Sequence, residues 1–136
     1  MADRSPVVRV PLIPRGLRVA AVLVVAGTIA YFSLVTEASP PSAGPFFDKY
    51  VHFAGYTVLA LLAAYATATL RDRPITRAVA VVVGVAAYGF VVELLQAPLP
   101  GRQFSLYDQV ANTLGALTVV VWLLIERRVR YRRVAP

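Results

Sequence analysis

The chain contains no cysteine, and histidine, methionine and tryptophan occur once each. Without thiols there is no disulfide framework, no thiolate metal site and no cysteine nucleophile. Acidic residues are also scarce, seven against fourteen Lys and Arg, for a formal net charge of +7. What fills the sequence is apolar: 58% hydrophobic residues and a mean hydropathy of +0.65 over 136 residues. That length suits one domain. A soluble domain of this composition would expose large apolar patches, a problem that a membrane removes.

Four apolar runs appear, Leu17–Val35, Tyr50–Leu70, Ala78–Gln96 and Phe104–Ile125. Each is roughly 19 to 22 residues, so each helix would be about 30 Å long, the thickness of a bilayer core. The first run is too long for a secretory signal peptide, and no small-residue cleavage site follows it. Gly84, Gly89 and Gly115 predict close backbone packing between spans. The connections Ser39–Pro45, Arg71–Arg77 and Ala97–Gln103 are short and rich in proline, including Pro40, Pro41 and Pro74. The expected fold is therefore all-α, a polytopic four-helix transmembrane bundle with spans at about 17–36, 49–70, 77–97 and 104–126. A basic N-terminal segment, 1–16, precedes it and a basic tail, 127–136, follows.

Twelve of the fourteen cations fall on one side of these spans. Arg4, Arg9, Arg15 and Arg18 precede the first, Arg71, Arg73 and Arg77 lie between the second and third, and five arginines follow the fourth. Only Lys49 and Arg102 belong to the other side. The positive-inside rule then makes both termini cytoplasmic and the chain a multi-pass protein of the cell membrane. The RRVRYRR tail reads as an anchor against anionic lipid rather than a nucleic-acid site.

The uncharged polar and titratable residues gather on the opposite side. Asp48, Lys49 and His52 open the second span, Glu93 and Gln96 close the third, and Ser105, Asp108 and Asn112 open the fourth, just after Arg102. Asp48 and His52 are four apart, as are Asp108 and Asn112, and Glu93 and Gln96 are three apart, so each pair shares a helix face. At 1.5 Å per residue, His52, Glu93 and Asn112 sit roughly 6 to 12 Å inside the outer boundary. Facing lipid there would cost about 2.5–3.5 kcal/mol per charged group. These faces are expected to form one pocket open to the extracytoplasmic side. Individually, Asp48, Ser105 and Asp108 could be helix caps and Lys49 could reach to headgroups. Glu93 has no such role, because a helix C-terminus disfavours a carboxylate. Phe46, Phe47, Tyr50, Phe53 and Tyr56, with Phe104 and Tyr107, read as an interfacial belt.

The segments DKYVHFAGY, VVELLQ and PGRQFSLYDQVANTLGA resemble the VanZ-like family, small helical membrane proteins named for one associated with teicoplanin resistance. Asp48, Lys49, His52 and Tyr56 match its first motif. Glu93 and Gln96 match the second, and Arg102, Ser105, Asp108 and Asn112 the third, over roughly half the chain. The resemblance implies an envelope role and supplies no reaction.

With the envelope role that the resemblance implies, two functions remain open. In one, the chain is an enzyme acting on a lipid-linked envelope precursor. His52, Glu93 and Asp108 would be catalytic, with Glu93 or His52 as general acid or base and Asp108 orienting His52. Asp48, Lys49, Tyr56, Gln96, Arg102, Ser105 and Asn112 would bind substrate, Lys49 and Arg102 clamping a phosphate or carboxylate. Ser105, His52 and Asp108 also contain the residue types of a hydrolytic triad. In the other, the same pocket binds an envelope lipid or glycan without chemistry. A proton-coupled transporter is less favoured, because the inner halves of the later three spans carry no Lys, Arg, His or acid. No cofactor and no metal are expected. A metal on Asp48, His52, Glu93 and Asp108 has suitable donors but two cations beside it. The expected partners are the bilayer and an envelope molecule, with no nucleic acid; self-association stays open.

Overall fold

The computed structural model describes residues 8–36 and 43–134. Arg4, Pro40 and Pro41 lie outside the described residues. The elements run β1 (Val8–Leu12), α1 (Arg15–Leu34), α2 (Phe47–Ala66), α3 (Pro74–Gln96), α4 (Leu106–Glu126) and β2 (Val129–Arg133), with a 3₁₀ turn at Ala68–Leu70. Each helix starts where its chemistry allows. Pro74 occupies the first turn of α3, where its missing N–H costs nothing. Ser105 caps α4 by accepting the Asp108 N–H at 3.2 Å. Asp48 complements the dipole in the first turn of α2.

Three helices, α1, α3 and α4, are long and apolar enough to cross a membrane. α2 has the same length as α1 but opens with Asp48, Lys49 and His52. It packs against all three others and most extensively against α4. Gly115 makes that contact possible: a Cβ there would sit 2.5 Å from Phe53 O and 3.0 Å from Thr57 N. The core between α2, α3 and α4 is built from Tyr56, Leu59, Ala60, Val85, Ala116 and Val119. α1 is peripheral, and Arg18 is its one buried residue. Gly84 differs from the packing expected of it, since nothing lies within 4 Å of where its Cβ would be.

Within the described residues, the basic flanks carry strands. β1 and β2 pair in parallel, Val8 opposite Val129 through Leu12 opposite Arg133. Two strands alone are marginal in water, and this pair is held by side chains from the helices. The Tyr65 hydroxyl donates to Pro11 O at 2.6 Å and accepts the Ile13 N–H at 3.1 Å. Arg71 donates to Val129 O at 3.3 Å and lies over the Tyr131 ring. Both ends of the described chain therefore meet at one end of the bundle.

That end also buries charge. Arg18 donates to the carbonyls of Ile13, Tyr65 and Ala66. Arg77 grips Glu126 with two N–H groups, at 2.5 and 3.0 Å, and also donates to Ala64 O and, at 3.0 Å, to Thr67 Oγ1. Arg18 and Arg77, read from the sequence only as topology signals, are thus helix-to-helix ties.

Candidate functional site

At the opposite end, Asp48, His52 and Tyr56 form one stripe on α2, spaced by one helical turn each. The stripe faces Glu93 near the end of α3 and Asp108 and Asn112 at the start of α4. Glu93 is 1% exposed, Asn112 0% and Tyr56 2%. Gly89 makes room for them: a Cβ there would lie 2.9 Å from both Asn112 Nδ2 and Tyr56 Cε1.

His52 is the centre of this cluster. Its Nδ1 lies 2.9 Å from Asn112 Oδ1 and 3.7 Å from Glu93 Oε1, and its Nε2 lies 3.8 Å from Asp48 Oδ1. With the proton on Nδ1, the ring donates to Asn112 and leaves Nε2 as the basic nitrogen. The Tyr56 ring lies parallel to the imidazole, with centroids 6.4 Å apart. Glu93 Oε2 accepts the Ser105 N–H at 3.3 Å, which fixes the carboxylate between α3 and α4. Its Oε1, the Tyr56 hydroxyl and Asn112 Nδ2 have no hydrogen-bond partner among the described residues. Buried polar atoms left unmet are costly, so a cluster of three is a place where a ligand or water belongs.

The cations are arranged differently from the expectation. Lys49 pairs with Asp108 and lies 3.4 Å from Asp48. Arg102 donates to Thr36 O at 3.0 Å and Phe32 O at 3.4 Å, at the end of α1. Lys49 and Arg102 thus contact different elements, Lys49 the start of α4 and Arg102 the end of α1. Asp108 pairs with Lys49, and Asn112 and Glu93 are the nearest polar partners of His52 Nδ1. Ser105 Oγ accepts the Asp108 N–H as the α4 cap. Gln96 Nε2 reaches Ser33 O at 2.9 Å. Gln96 and Arg102 together tie α1 to the site.

Asp48, His52 and Asp108 offer ligand atoms within 4.8 Å of one another. The Lys49 ammonium already lies against both carboxylates of that group and meets the charge a cation would meet.

One element of the site carried no sequence signal. Between α1 and α2 lies a crevice of about 230 Å³, lined by Ile29, Phe32, Ser33, Val51, His52 and Tyr56. It brings apolar surface up to the His52 and Tyr56 rings. α1 residues contribute to it through helix rotation, which hydropathy does not encode. Of the aromatic belt, Phe46, Tyr50 and Tyr107 are 68 to 79% exposed, whereas Tyr56 belongs to the core.

No protein-family model matches this chain, and no curated protein and no solved structure matches it either.

Proposed function

We propose that this chain is a VanZ-like multi-pass protein of the cell membrane that modifies a lipid-linked envelope precursor. In this reading all four helices cross, and the polar end of α2 is tolerated because α1, α3 and α4 surround it. Both termini and the Arg71–Arg73 turn are cytoplasmic, following the arginine bias, and the His52 cluster faces the extracytoplasmic side.

The observation that carries the reading is Glu93, buried beside His52 with one oxygen unmet, behind a crevice whose walls are apolar. The lipid portion of a substrate enters through the crevice between α1 and α2, bringing its head group to His52. Nε2 of His52 takes a proton from a water or hydroxyl as its oxygen bonds to the head group, and Glu93 stabilises the imidazolium. The imidazolium returns the proton to the oxygen whose bond to the head group breaks. Asn112 holds the ring in the tautomer that keeps Nε2 basic. Lys49, balanced by Asp108, shapes the charge at the mouth. Reduced sensitivity to teicoplanin would be one consequence of altering such a precursor.

Binding without turnover is the second reading, and one observation favours it. No residue of the motifs stands as a nucleophile, and Ser105 Oγ accepts the Asp108 N–H as the α4 cap. Mass spectrometry of total lipid extracts separates the two, using cells that express wild type or Glu93→Gln at matched membrane levels. A lipid species that changes with wild type and not with Glu93→Gln establishes chemistry and names the substrate class. Identical extracts overturn the enzymatic reading and leave the binding one.

A further inference from the structure

Residues of α1, α2 and α3 line a groove of about 500 Å³. Its walls include Val22, Ala26, Leu59 and Val85, and Gly84 opens onto it with empty space where a side chain would stand. One end is closed by Tyr88, whose hydroxyl donates to Ala26 O at 2.5 Å. The other end is bordered by Arg73 and Thr76. From Arg73 to Tyr88 along α3 is about 22 Å. Half of a bilayer with its head-group region is about 20–22 Å, so the groove runs the depth of one leaflet.

The charge at the mouth selects the occupant. Arg77 also lines the groove, but Glu126 neutralises it. Arg73 is exposed, and its guanidinium makes no ion pair among the described residues. An apolar trench one leaflet deep, ending at a cation whose charge is uncompensated, is complementary to an acyl chain carrying a negative head group. We propose that the groove holds one acyl chain of an anionic phospholipid whose phosphate is met by Arg73. The site rests on α1 and α3 lying in a membrane. It is independent of what happens at His52, which lies toward the other end of the bundle.

Native mass spectrometry of the full chain in mild detergent tests this, with phosphatidylglycerol and phosphatidylcholine of matched chains as probes. Wild type binds phosphatidylglycerol more tightly. Arg73→Gln, on an exposed turn where folding is not at stake, lowers that affinity about fivefold and leaves phosphatidylcholine unchanged. Gly84→Leu fills the groove and weakens both lipids. Arg130→Gln, an equal charge loss on exposed β2, changes neither. Unaltered phosphatidylglycerol binding in Arg73→Gln overturns the proposal, as does wild-type lipid binding in Gly84→Leu. Equal losses in Arg73→Gln and Arg130→Gln overturn it too, because attraction would then be spread over the whole basic end.

Discussion

Where the terminal strands pair, the Glu126 carboxylate takes two N–H groups of Arg77 and the hydroxyl of Tyr131. At the other end the equally buried Glu93 takes a single backbone N–H, from Ser105. The two carboxylates are 4% and 1% exposed, so burial does not distinguish them. Satisfaction does. A saturated buried charge adds specificity to packing and leaves nothing for a ligand, whereas an oxygen held open against a histidine leaves a place for a ligand or water.

The largest expected effect breaks that contrast directly. Glu126→Ala leaves Arg77 buried and uncompensated and should cost about 3–5 kcal/mol. It would be read as a fall in the unfolding midpoint in detergent and a loss of monodisperse protein. Glu93→Gln keeps shape and the Ser105 contact, so its stability should change by about 1 kcal/mol or less while the lipid change disappears. A Glu93→Gln protein as unstable as Glu126→Ala would mean that both ends are structural.

The next effect compares two glycines. Gly115→Ala puts a methyl against the α2 backbone at Phe53 and Thr57, atoms that cannot rotate away. The helices must separate, at about 1–3 kcal/mol. Gly84→Ala meets open space and should stabilise by up to about 1 kcal/mol through helix propensity. Paired thermal melts decide this, and equal shifts would show that α2 and α4 are less closely packed than Gly115 indicates.

These glycines also show what the sequence could and could not reveal. Helix positions and the shared depth of Asp48, His52, Glu93, Asp108 and Asn112 were legible, because rise per residue and periodicity are properties of one helix. Which residue meets which was not. Rotation about each axis put Asn112 in hydrogen-bond reach of His52 and turned Gln96 toward α1, and the loop carried Arg102 there too. VRVPL and VRYRR read as basic flanks because parallel pairing between opposite ends of the chain leaves no local pattern. Glu126 was hidden for a similar reason. A lone acid before an arginine run looks solvated until Arg77, on another helix, is placed against it.

A smaller effect concerns the α1 tether. Gln96→Leu loses the bond to Ser33 O, about 1 kcal/mol, and loosens the helix that forms one wall of the crevice. The lipid change in cells should weaken in proportion to occupancy of the folded state and no further. Complete loss of that change in a folded Gln96→Leu protein would place Gln96 in contact with substrate and bring back the role its motif implies.

The finest distinction lies at Tyr131, where the closed end can be titrated. Burial first, then the hydrogen bond to Glu126 and its negative charge, hold this phenol above its ordinary value near 10. The unfolded chain ionises the hydroxyl near pH 10 and the folded chain does not. The contribution is therefore full below pH 10 and is lost as pH rises above it toward the raised folded value. Tyr131→Phe forfeits one hydrogen bond, about 0.5–1.5 kcal/mol near neutral pH, and removes a titrating group. Its unfolding midpoint should start below that of wild type and converge on it as pH passes 10. Parallel curves up to pH 11 would mean that the hydroxyl is not sealed against Glu126. The closed end would then be more open to water than its saturated carboxylate implies, and the contrast with Glu93 would narrow by that one bond.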